Sequence, residues 1–139
     1  MNNHYKELLI IDDDCCYNIV CALALKKLFR SRGINMTCFT NLDEGLDYIV
    51  KTAASPDKTL IFLDIDMERM DGWQVLEQLE QLPKPVRKRL DVYIITALAN
   101  KHDEQRASKC SLVKQYLEKP LLNHLHPIFA KRSLQLSVA

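Results

Sequence analysis

A chain of 139 residues is long enough for one domain with a buried core and too short for two of ordinary size. Its 19 basic and 18 acidic residues nearly cancel, leaving a formal net charge of +1, so no global field favours nucleic acid or an anionic membrane as partner. Its 5 cysteines (15, 16, 21, 38 and 110) lack a C-x-x-C pair and its 4 histidines lack ligand spacing, which argues against a disulfide framework and a zinc site and leaves the cysteines as small buried hydrophobes.

The start Met1-Asn2-Asn3-His4 has no signal-peptide pattern, and the apolar runs fall far short of the ~20 residues that cross a bilayer; a cytoplasmic protein is expected. Leu8-Leu9-Ile10-Ile11 predicts a first strand that stops at Asp12-Asp13-Asp14. From Tyr17 to about Arg30, Ile19, Val20, Leu23, Ala24 and Leu28 recur at helical spacing and predict an amphipathic helix ending near Gly33. Met36 to Phe39 reads as a short second strand. Thr40 or Asn41 can cap a helix whose inner face is Leu42, Leu46, Ile49 and Val50, and Ser55-Pro56-Asp57 ends it.

Leu60-Ile61-Phe62-Leu63 is a third strand that stops at Asp64. Asp71-Gly72 then turns the chain into a helix carrying Trp73, Val75, Leu76, Leu79 and Leu82, closed by Pro83 and Pro85. Val92 to Ile95 forms a fourth strand ending at Thr96-Ala97. Asn100 to Cys110 is mostly polar, so a helix there would be exposed and loosely held. Val113 to Lys119 is the fifth strand. Asn123 can cap a last helix that admits Pro127 in its first turn and turns Leu125, Ile128 and Phe129 inward.

Strands alternating with helices predict an α/β fold: a doubly wound, flavodoxin-like (βα)5 sandwich around a five-stranded parallel sheet of order 2-1-3-4-5. One domain is expected over 1–139, with its core at about 6–132 and 133–139 as a tail or helix extension. In that order the first and third strands lie side by side at the topological switch point, so Asp12, Asp13 and Asp64 converge at the carboxyl edge of the sheet. Crowded carboxylates repel one another unless a cation or protons intervene, and hard oxygen ligands suit Mg²⁺, with Mn²⁺ as a substitute. Lys119 adds a compact positive charge and Thr96 a hydroxyl. Such a set fits phosphoryl transfer with Asp64 as nucleophile.

Four motifs occur in order: the acidic pair Asp12-Asp13, the D-x-x-M-x-x-M-D-G segment from Asp64 to Gly72, Thr96-Ala97 and Lys119-Pro120. Together they resemble the receiver domains of two-component response regulators, over Leu8 to about Arg132. The resemblance implies that Asp64 accepts a phosphoryl group from a histidine kinase or a histidine phosphotransfer protein. It implies Mg²⁺ bound by Asp13, Asp64 and the backbone carbonyl of Asp66, with Asp12 acting through water. Thr96 and Lys119 would contact the phosphoryl group, and Tyr116 would be the aromatic switch that moves inward on activation.

Glu68 stands where many members of that family carry proline. Asp66 and Leu98, each two residues after a motif residue, occupy positions where the family tunes phosphate hydrolysis, so an altered phosphoryl lifetime is expected. With barely a dozen residues beyond the motifs, no output domain is expected, and the signal would leave by contact with a downstream protein, from a monomer or a phosphorylation-dependent homodimer. The basic cluster Lys84, Arg87, Lys88 and Arg89 lacks interleaved aromatic residues and reads as a solvated loop.

Two rivals carry other chemistry. Asp64-Ile65-Asp66 also resembles the D-x-D segment of haloacid-dehalogenase-type phosphatases, in which the second acid protonates the leaving group. Those enzymes usually place the nucleophile on their first strand, whereas here Asp12 and Asp13 come first. A flavin module of the same architecture would need a phosphate-binding loop after the first strand, and none is present.

Overall fold

The computed structural model describes residues 5–28, 33–52, 55–66 and 71–119, with the side chains of 15–18 and 28 outside that description. In chain order the elements are β1 (Tyr5–Ile11), α1 (Cys15–Leu28), β2 (Asn35–Phe39), α2 (Leu42–Lys51) and β3 (Lys58–Asp64). They continue with α3 (Gly72–Glu80), α4 (Lys84–Arg87), β4 (Leu90–Thr96), α5 (Lys101–Ser108) and β5 (Val113–Glu118). The strands form one parallel sheet in the order β2-β1-β3-β4-β5, as the sequence predicts.

Strand alternation explains why the sheet is covered on both faces. Leu8 and Ile10 of β1 enter one apolar cluster with Cys21, Leu25, Leu60, Phe62, Tyr93 and Ile95, whereas Leu9 and Ile11 enter the opposite cluster with Ile49, Ile61, Leu63, Val75, Leu79 and Ile94. Each such side chain removed from water contributes about 1.5–3 kcal/mol before entropy is counted, so the central strands are the rigid frame of the fold. Every residue of β4 is buried.

Helix starts follow local chemistry. The Asn41 side chain accepts from the N–H groups of Asp43 and Glu44 and caps α2, and Asn100 accepts from the Asp103 N–H at 2.8 Å and caps α5. As the polar composition of 100–110 implies, only Ala107 of α5 is buried.

Four expectations need correction, the first being Val50 of α2, which is 48% exposed rather than on the inner face with Leu42 and Ile49. Among the described side chains of α1, Cys21 and Leu25 are fully buried and Ala24 packs against the same cluster as expected, while Ile19, Val20 and Leu23 are 59%, 50% and 59% exposed. The helix is apolar on most sides, so periodicity alone put Ile19, Val20 and Leu23 on the wrong side. Next, Lys84–Arg87 is not a plain loop but one helical turn, with Pro83 before it and Pro85 in its first turn, where the ring's fixed φ costs little. Finally, Cys38 is exposed on the edge strand β2. The last helix from Asn123, the tail at 133–139, Pro120 and Glu68 lie outside the described residues.

At the amino edge of the sheet, Asp91 is buried and accepts a hydrogen bond from the Tyr5 hydroxyl, with Lys58 Nζ 3.8 Å away. Removing the hydroxyl leaves a buried carboxylate short of a donor. Tyr5→Phe is therefore expected to lower stability by about 1–3 kcal/mol in urea unfolding. A midpoint equal to that of the parent would show that Lys58 alone satisfies Asp91.

Candidate functional site

Register brings the candidate residues together. Ile11 of β1 pairs with Leu63 of β3, so Asp12, one residue on, comes alongside Asp64, and Asp64 in turn pairs with Ile95 of β4. Thr96 pairs with Glu118 of β5, and the Lys119 N–H donates to the Thr96 carbonyl at 2.8 Å. Four strand ends thus deliver Asp12, Asp64, Thr96 and Lys119 to one rim, with Asp13 beside them.

One carboxylate oxygen from each of Asp12, Asp13 and Asp64 lies within 4.8 Å of the others. Asp12, Asp64 and Thr96 are buried, at 2%, 3% and 0% exposure, while Asp13 is exposed. Lys119 Nζ stands 2.7 Å from Asp12 Oδ2 and 3.4 Å from Asp64 Oδ2, so it favours Asp12 and neutralises Asp64 less completely. The other Asp64 oxygen accepts from the Asp66 N–H at 2.9 Å. Three carboxylates facing one ammonium leave negative charge uncompensated in a mostly buried place.

The titration of the site follows. Burial raises the Asp64 carboxyl to about 6, with the charge on Asp12 adding to the effect and the Asp66 N–H and Lys119 opposing it. For Lys119, burial pulls its pKa down, but the hydrogen bond and charge of Asp12, followed by Asp64, outweigh it, and the ammonium ends above its ordinary value. It is a fixed cation at neutral pH.

The donor set fits a hard divalent ion. It offers carboxylate oxygens from three residues on two adjacent strand ends, with no sulfur or imidazole among the described residues nearest them, and a dication would cancel the surplus charge. Asp12 also accepts from the Asp14 N–H at 3.0 Å, an Asx turn that fixes the loop after β1.

Beyond the charged centre, Tyr116 is half-buried against the core and its hydroxyl accepts from the Asn100 N–H at 3.2 Å, tying β5 to the cap of α5. Leu98 is 77% exposed on the intervening loop. Three features escaped the sequence reading. The Thr96 hydroxyl donates to Asp66 Oδ2 at 2.6 Å. Gly72 has no room for a Cβ: one would lie 2.7 Å from the Asp64 carbonyl oxygen and 2.7 Å from Ile65 Cα. The Arg106 guanidinium of α5 stacks 4.4 Å over the Trp73 ring of α3. A helix-opening glycine eight residues after the strand-end acid Asp64 is the one sequence signal that bears on any of these.

A family model described as the response regulator receiver domain matches residues 8–127. Among curated proteins, an uncharacterised 14.6 kDa protein in the sodA1 3′ region of Leptolyngbya boryana is 26% identical over 115 residues, covering 83% of this chain and 79% of that protein. A solved two-component response regulator from Cytophaga hutchinsonii has a TM-score of 0.80 at 19% identity and covers 96% of this chain and 99% of its own. A response regulator receiver protein from Dyadobacter fermentans has a TM-score of 0.72 at 25% identity and covers 92% of this chain and 97% of its own. The Cytophaga hutchinsonii likeness, under 25% identical, shows the fold alone. None of these comparisons favours a phosphatase of the D-x-D type, and among the described residues no helix is long and apolar enough to cross a membrane.

Proposed function

Since the chain belongs to the response regulator receiver family of two-component signalling, we propose that it is a phosphoacceptor switch modified on Asp64 by a histidine kinase or a histidine phosphotransfer protein. The observation that carries this reading is the meeting of Asp12, Asp13 and Asp64 around Lys119, with the buried Thr96 on the next strand. Asp64 supplies the nucleophilic oxygen. Its bond to phosphorus forms as the phosphorus–nitrogen bond of the donor phosphohistidine breaks, and the imidazole, protonated on its other nitrogen, leaves neutral. Lys119 and Thr96 are the donors for the transferred oxygens, acting from a rim that excludes much of the water.

Asp12, Asp13, Asp64 and the backbone carbonyl of Asp66 are the groups that would hold Mg²⁺. When bound, such an ion supplies charge neutralisation for the incoming phosphoryl oxygens. Asp64 above its ordinary carboxylate pKa is still mostly ionised at neutral pH, and an ionised oxygen is what attack requires. The added charge of about −1.5 to −2 on phosphorylation favours a conformation in which Thr96 turns toward it. Tyr116 and the lightly anchored α5 then present a changed face to a downstream protein. The chain so read is a signalling protein rather than a turnover enzyme.

Exposure to acetyl phosphate and Mg²⁺ is expected to add the mass of one phosphoryl group, lost on chelation of the metal and absent in Asp64→Asn. Equal labelling of Asp64→Asn, or sustained hydrolysis of phosphate esters, would overturn the reading.

A further inference from the structure

The hydroxyl of Thr96 is already committed. It donates to Asp66 Oδ2 at 2.6 Å and accepts from the Leu98 N–H at 3.3 Å, with the Leu98 carbonyl a poorer acceptor at 3.4 Å. A hydroxyl has one proton and can donate at full strength to one acceptor at a time. A bond this short to an ionised carboxylate belongs to the stronger class of hydrogen bonds.

We propose that the Asp66 side chain is a positioning residue that latches Thr96 in the resting protein, so that any phosphoryl group on Asp64 must win the Thr96 proton from a carboxylate. This rests on the phosphoacceptor reading and deepens it. The latch is anchored at both ends: the Asp66 N–H is bonded to Asp64 Oδ1 at 2.9 Å, and Thr96 is fully buried at the end of β4. It is also releasable, because Asp66 is exposed and water can solvate its carboxylate once Thr96 has let go. A phosphoryl group repels that carboxylate, so release and phosphorylation favour each other.

The other group expected to move is restrained as well. Asp66 is one of three acids, with Asp103 and Glu104, whose charge reaches the Tyr116 hydroxyl, which itself is held by the Asn100 N–H. Thr96 and Tyr116 are therefore each restrained by a separate hydrogen bond in the unmodified chain, and Asp66 controls the first.

Beryllofluoride with saturating Mg²⁺ stands in for the phosphoryl group, and fluorine NMR reads its binding to the full chain. Asp66→Ala removes the acceptor and is expected to tighten binding by about three- to tenfold, and Asp66→Asn, which keeps a neutral acceptor, is expected to fall between Ala and the parent. In a Thr96→Ala background only the part of the gain that comes from removing the carboxylate's repulsion should remain, so both gains should shrink, and Asp66→Ala should no longer exceed Asp66→Asn. In the metal-free protein, Asp66→Ala should also shift the Thr96 methyl resonance. Equal gains for Ala and Asn in the parent background, gains undiminished without Thr96, or an Asp66→Ala affinity no better than the parent would each overturn the latch. Failure of the parent itself to bind beryllofluoride would instead overturn the phosphoacceptor reading.

Discussion

Gly72→Ala is expected to destabilise the domain by about 2–4 kcal/mol and to abolish Mg²⁺-dependent labelling of Asp64. The reason is where α3 begins. Gly72 is buried at the first position of that helix, capped by Asp71, whose Oδ1 accepts from the Gln74 N–H at 2.9 Å. Its own N–H donates to the Ile65 carbonyl at 3.2 Å, which pulls the helix start onto the end of β3. A Cβ there would stand 2.7 Å from the Asp64 carbonyl oxygen, 2.7 Å from Ile65 Cα and 2.9 Å from Ile65 Cγ2. The two closest atoms are backbone of the proposed phosphoacceptor segment, so relief requires α3 or the strand end itself to shift. A shift of the strand end moves Asp64 relative to Asp12 and Lys119, and charge placement is what the site depends on. Gly45→Ala is the internal control: its nearest neighbour is Ile11 Cδ1 at 2.8 Å, the far end of a flexible side chain. It should cost less than about 1 kcal/mol and leave labelling intact. Urea unfolding and intact mass after acetyl phosphate treatment measure both effects. A Gly72→Ala protein with the parent's midpoint and full labelling would mean that α3 and β3 are not rigidly joined.

The sheet and its rim were legible in the sequence because both follow from patterns along the chain. Apolar runs that stop at Asp12, Asp64, Thr96 and Lys119 define strand ends, and chirality and strand order bring those ends together without any side-chain detail. What stayed hidden depends on a particular rotamer or on an ambiguous period. In α1, Ile19, Val20 and Leu23 compete with Cys21 and Leu25 for the inner face, and only docking on the sheet decides between them. The Thr96–Asp66 bond joins residues 30 positions apart and depends on side-chain torsions that no spacing encodes. The turn at Lys84–Arg87 was masked by its prolines, which are read as breakers unless they fall in a first turn. Gly72 was read as turn chemistry, and its demand for space appears only once β3 lies beneath it.

Without metal, Asp64→Asn is expected to be more stable than the parent at pH 7.5, and the advantage is expected to vanish near pH 4. In the folded chain the Asp64 carboxyl titrates at about 6 against an ordinary 3.8, chiefly because it is buried and secondarily because Asp12 is charged beside it. Below the ordinary value both folded and unfolded chains hold the proton, and Asp64 costs the fold nothing. Between the two values only the folded chain holds it, so unfolding releases a proton and stability falls as pH rises. Above about 6 both are ionised and the folded chain bears the full electrostatic penalty. The shift corresponds to an upper bound of about 3 kcal/mol, and replacing the carboxylate also removes its attraction to Lys119, so a gain of about 1–2 kcal/mol is expected. Mg²⁺ should then reverse the ranking, since binding to the folded parent stabilises it in proportion to RT ln(1 + [Mg²⁺]/Kd), and Asp64→Asn lacks one of the proposed ligands. Unfolding midpoints of both proteins from pH 4 to 7.5, in chelator and in millimolar Mg²⁺, test the two halves separately. An Asp64→Asn advantage that fails to grow with pH through this window in chelator would contradict the burial of an ionised Asp64. A parent indifferent to Mg²⁺ would leave the carboxylate cluster without the cation proposed to hold it together.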